Sequence, residues 1–123
     1  MDSPRLRLDH TRPDGGLSFD LRDILSCLGP RVATSWWTAG RSTEADEEPM
    51  WFGPREGELK ALAAHGRRLA GTDFQAVADG IEQVIWGQFE GFDERSGGEP
   101  WVRIVAFDST WFEVQCAQPA LLQ

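Results

Sequence analysis

Tyrosine is absent from this 123-residue chain, lysine occurs once (Lys60), and histidine and cysteine occur twice each. Each scarcity excludes something. His10 and His65 have no Cys or His partners at zinc spacing, so no metal site is expected. His65 closes a short helix, where its charge suits the helix dipole. Cys27 sits among leucines on a predicted helix and Cys116 ends a predicted strand, so both read as small buried apolar residues. The opening residues, Met1 to Leu8, contain no apolar h-region. A secretory leader is therefore not expected, the location is expected to be cytoplasmic, and the cysteines are expected to remain thiols. No apolar run approaches the ~18 residues of a membrane span.

The signatures of catalysis and of cofactors are missing as well. Gly15–Gly16 and Gly97–Gly98 are isolated pairs outside any phosphate-binding pattern. Asp108, Ser109 and Thr110 lack a Gly-x-Ser-x-Gly elbow and read as turn residues. Glu90, Asp93, Glu94 and Glu99 do not have the spacing of an EF-hand loop. No catalytic residue, metal or cofactor is assigned, and an enzymatic role is disfavoured.

What is present is acid and tryptophan. The formal net charge is −8. Residues 1–71 hold 11 acids and 10 bases, whereas residues 72–123 hold 9 acids and 2 bases, Arg95 and Arg103. The second half, at −7, repels DNA and anionic lipid and attracts a basic protein. Such acidity also serves solubility alone. The dominance of arginine over lysine suggests a GC-rich bacterial genome.

One domain is expected at this length. Arg5 to Asp9 alternates and reads as an edge strand. Phe19 to Leu28 reads as a helix capped by Asp20, with Leu21, Ile24, Leu25 and Leu28 on one face. Gly29 and Pro30 stop it. Val32 to Thr38 reads as a strand, followed by a solvated acidic loop over Gly40 to Pro49. Met50 to Phe52 is either a short strand or a core anchor. Glu56 to His65 reads as a helix ended by Gly66. Thr72 and Gln75 fit a capping box opening a helix over 73–86, with Phe74, Val77, Ala78, Ile81, Val84 and Ile85 as its stripe. Glu90 to Pro100 reads as an acidic, glycine-rich loop. The closing segment is a hairpin whose register follows from its faces: pairing Phe107 with Trp111 sets Ala106, Ile104 and Val102 opposite Phe112, Val114 and Cys116, an all-apolar face. The fold class is α+β: a small, mainly antiparallel sheet with about three helices on one face, the C-terminal helix followed by the β-hairpin.

Six tryptophans are an excess for this length. Core packing accounts for most of them, Trp86 among them. Trp36 and Trp37 are adjacent on a strand and point to opposite faces. The candidate binding residues are Asp93, Glu94, Glu99, Trp111, Glu113 and Trp37, because dense acid and aromatic anchors favour a basic protein partner. The function expected is a non-enzymatic binding module, such as an immunity-type inhibitor of a nuclease toxin. The alternatives are a small-molecule or carbohydrate binder (or weak enzyme) with a Trp-lined pocket, and a structural homodimer. Neither nucleic acid nor membrane is expected as a partner.

Overall fold

The computed structural model describes residues 5–8, 19–42, 44, 46–108 and 110–116. The chain runs β1 (Arg5–Leu8), α1 (Leu21–Leu28), β2 (Trp36–Gly40), β3 (Met50–Phe52), α2 (Glu56–His65), β4 (Leu69–Ala70), α3 (Gly71–Asp79), β5 (Gln83–Phe92), β6 (Val102–Phe107) and β7 (Trp111–Cys116). Short 3-10 turns occupy Pro30–Val32 and Glu94–Ser96. All strand pairs are antiparallel, in the order β1-β7-β6-β5-β2-β4, with β3 also on β5. The fold is mixed α and β, with the sheet dominant.

The α1 stripe buries Leu21, Ile24, Leu25 and Leu28, as the sequence pattern requires. The Asp20 amide donates to the Asp23 carboxylate at 2.9 Å, which fixes the first turn. The hairpin takes the register expected from its faces: Phe107 opposes Trp111, Ala106 opposes Phe112, Ile104 opposes Val114 and Val102 opposes Cys116. Its turn is closed by the Thr110 amide and hydroxyl, which both donate to the Phe107 carbonyl at 2.9 and 2.8 Å. Ser109 lies outside the described residues. So do Asp9 and His10, and the Pro13 to Gly16 turn.

The expected helix over 73–86 is half helix and half strand. α3 ends at Asp79, and Gly80 is its cap. Gln83 to Phe92 is instead β5, which pairs with β2, β3 and β6. Val84, Ile85 and Trp86 are β-branched or aromatic and fit a pleated sheet better than a fourth helical turn. The break is fixed by tertiary contact: Arg55 N donates to Gly80 O at 3.0 Å and Glu82 N to Phe52 O at 2.8 Å. Gly53, at φ 149°, is needed there because a Cβ would collide with the Gly80 carbonyl. A strand therefore intervenes between the last helix and the hairpin.

Three smaller expectations also shift. Val32 belongs to a 3-10 turn, because the Thr34 and Ser35 hydroxyls both donate to the Arg31 carbonyl and bend the chain before β2. The capping box at Thr72 does not open α3. The helix starts at Gly71, whose amide donates to Ser35 O at 2.8 Å, and the Val32 and Ala33 carbonyls lie too close to it for any Cβ. Trp86 is half-buried on the face away from the core, opposite Met50.

The core lies between the helices and one face of the sheet. Trp37 stacks on Phe74 of α3 at 4.8 Å, and Phe74 meets Phe89 of β5 at 6.1 Å. α3 thus covers β2 and β5, while Phe19, just before α1, packs on Phe112 of the hairpin at 5.8 Å. At the sheet edge, β1 carries Arg5 and Arg7, charges that discourage pairing with another chain.

Cys116 is buried, but Cys27 is exposed on α1, outside the leucine stripe. Burial also pushes the Cys116 thiol pKa up, so less reactive thiolate forms there. A thiol reagent applied to the native protein is expected to modify Cys27 quickly and Cys116 only on unfolding. Intact-mass measurement against time checks this, and equal rates would contradict the burial.

Candidate binding surface

The second face of the sheet carries the residues that alternate with the core, and Gln88 and Val105 near its middle are buried. From β2 the alternating residues are Trp36 and Thr38, directly opposite Phe92 and Glu90 of β5. Glu90 in turn faces Arg103 of β6, and the two form an ion pair at 3.0 Å. Farther across, Arg5 of β1 pairs with Glu113 at 3.7 Å and with Glu44 of the β2–β3 connection at 3.0 Å. The centre of this face is therefore charged and internally neutralised. Its two ends are aromatic.

At one end, Phe107 and Trp111 stack at 5.0 Å, and the Arg7 guanidinium lies 4.2 Å from the Trp111 ring centroid. Trp111 is held between its neighbours and is half-buried. Glu113 is half-buried in its ion pair. At the other end stand Trp36 and Phe92, with the Arg68 guanidinium 4.1 Å above the Phe92 ring. Trp36 is 52% exposed, while Trp37 is fully buried.

The six residues proposed from sequence therefore do not form one patch. Trp37 is a core residue. Asp93 is interior too: Arg31 reaches it through Nε and, at 2.9 Å, through Nη2, and both side chains are more than nine-tenths buried. That hydrogen bonding, with the Arg31 charge, holds the Asp93 carboxyl below the usual range. Glu94 and Glu99 are exposed, on the segment after β5. They lie at the Trp36–Phe92 end of the sheet. Trp111 lies at the opposite end, separated by the length of β6, ~20 Å at the ~3.4 Å rise of an antiparallel strand, and Glu113 lies midway, opposite Val105. Closeness in sequence does not bring the acids and Trp111 together.

The segment between β5 and β6 is pinned rather than loose. The Arg31 guanidinium lies 4.4 Å from the Trp101 ring centroid. Trp101 Nε1 donates to Ser35 Oγ at 2.8 Å, and its backbone amide donates to Gly91 O at 2.8 Å. Asp93 caps the 3-10 turn, its amide donating to Ser96 Oγ at 3.0 Å. Glu94 and Glu99 are thereby presented from a fixed base.

Trp36 is the surface residue that the sequence reading passed over. Its signal was the strand alternation. Trp36 shares a face with Thr38, and Trp37 shares one with Ala39, so the polar partner marks Trp36 as outward. Among the described residues, no group of three or more His, Cys, Asp or Glu is placed to hold a metal ion. No described helix is long and apolar enough to cross a membrane. No protein-family model, no curated protein and no solved structure matches this chain.

Proposed function

We propose that this chain is a non-enzymatic, cytoplasmic module that binds a basic protein. The complex would be of the kind an immunity-type inhibitor makes with a nuclease toxin. One observation carries the reading: a tryptophan, Trp36, is half-exposed on a rigid strand, backed by Phe92, on the sheet end that also presents Glu94 and Glu99. A large aromatic on a rigid strand loses little conformational entropy when it is buried by a partner, which makes it an efficient anchor. The net charge of −8 draws a cationic partner in and sets the encounter rate, while the anchor sets the lifetime of the complex.

The test is capture from host lysate at low and high salt, followed by kinetics on the retained protein. Trp36→Ala is expected to raise the dissociation rate at least about tenfold, in the range of a binding hot spot. Glu94→Gln combined with Glu99→Gln is expected to slow association and flatten its salt dependence. Trp111→Ala is the contrast and is expected to leave both rates close to those of the parent. Retention of nothing basic at low salt, or a larger loss from Trp111→Ala than from Trp36→Ala, would overturn the reading.

A further inference from the structure

A separate concavity lies between α2 and the connection from β2 to β3. It has a volume of about 640 Å³, within the range of small-molecule sites. It exists because α2 turns Gly57, Ala63 and Ala64 toward it, and these leave the helix surface bare. Trp51 lines it from β3, held in place by donating Nε1–H to the Glu56 carbonyl at 3.2 Å. Met50 stands at its lip, 47% exposed. The apolar part of the lining is thus aromatic and aliphatic.

The charged residues around it are arranged in opposed pairs. Arg41 is already engaged, by Asp46 at 3.4 Å and Glu48 at 3.3 Å. Glu56 and Lys60 also line the groove, one helical turn apart. Neither forms an ion pair among the described residues, although this order and spacing favour one. The groove therefore offers one free carboxylate and one free ammonium over an apolar lining, with Cβ atoms ~6 Å apart on neighbouring turns. A simple anion would be repelled by Glu48 and Glu56, and a simple cation by Arg41 and Lys60. A molecule carrying both charges and an apolar body complements every group.

We infer that this groove binds a small apolar zwitterion of the short-peptide class, with its carboxylate on Lys60 and its ammonium on Glu56. The volume suits more than one residue of such a ligand, and the apolar side chains would lie on Met50 and on the edge of Trp51, which is 6% exposed. This site shares no residue with the Trp36 surface and stands or falls independently of it.

The experiment is a titration of the isotopically labelled protein with trileucine, followed by amide NMR shifts. Its comparators are N-acetyl-trileucine and trileucine amide. Trileucine is expected to shift the amides of Gly57, Ala63 and Ala64 saturably at millimolar concentration. Capping either end is expected to weaken binding about tenfold, because each cap removes one charge-assisted contact. In Lys60→Met the penalty for amidation should vanish while that for acetylation remains. In Glu56→Gln the pattern should reverse. No saturable shift, shifts confined to residues outside the groove, or equal binding of all three peptides would each overturn the inference.

Discussion

Replacing Asp93 with alanine is expected to destabilise the protein by about 3–5 kcal/mol, the cost of leaving a buried charge without its partner. The side chains of Arg31 and Asp93 are each more than nine-tenths buried, and they close a two-point contact between the turn before β2 and the segment after β5. With the carboxylate gone, the guanidinium keeps its place over Trp101 but loses the Asp93 charge. Urea denaturation of wild type and variant measures the difference. A loss below about 1 kcal/mol would place this pair among weak surface ion pairs instead. Replacing both partners together with apolar residues of similar volume is expected to cost far less, since such swaps of buried pairs are often neutral.

The same pair sets a pH dependence. The folded carboxyl titrates below its ordinary value of 3.8, chiefly through the Arg31 hydrogen bonds. Its contribution to stability is therefore complete above that value and is lost as the pH falls through the lower folded pKa. Asp93→Asn should lose stability at neutral pH and show a shallower further loss on acidification. Midpoints taken from neutral pH down through the carboxyl range check the sign.

Trp37→Ala is expected to cost about 3–5 kcal/mol, the usual range for removing a buried aromatic. Trp37 is fully buried, stacks on Phe74 at 4.8 Å, meets Trp101 edge-on at 6.2 Å and donates Nε1–H to Val32 O at 3.0 Å. Its truncation opens a void where α3, β2 and β6 meet and leaves the Val32 carbonyl with the Ser35 amide alone. Trp36→Ala, one residue away, is expected to change stability by no more than ~0.5 kcal/mol, as exposed positions usually do. Guanidinium midpoints of the two variants make the comparison. Similar values would contradict the assignment of Trp37 to the core, and the reverse order would mean that the two faces of β2 have been exchanged.

These adjacent tryptophans show how far local pattern reaches. The α1 stripe and the hairpin register were legible because each depends on neighbours along the chain: i, i+3, i+4 spacing in one, cross-strand faces in the other. The 73–86 segment was not legible in the same way. Its apolar residues match a helical stripe, yet Val84 and Phe89 are buried in a strand, and periodicity alone does not separate a buried strand from a buried helix. The contacts of Gly80 and Glu82 with Phe52 and Arg55, distant in sequence, decided it. Asp93 was misread for a related reason. Its charge marks it as a surface residue until Arg31, 62 positions earlier, is folded onto it.

Composition and local periodicity by themselves determined the acidic charge, the α1 helix, α2 and its terminating Gly66, and the closing hairpin with its register. Those properties depend on residue chemistry and on contacts a few positions apart. Only the tertiary structure decided that β5 is a central strand and that Asp93 lies inside. It also set the acids and Trp111 at opposite ends of β6. Each of these depends on which distant segment supplies the opposing surface, the missing hydrogen bonds or the counter-charge, and pairings of that range leave no local periodicity to read.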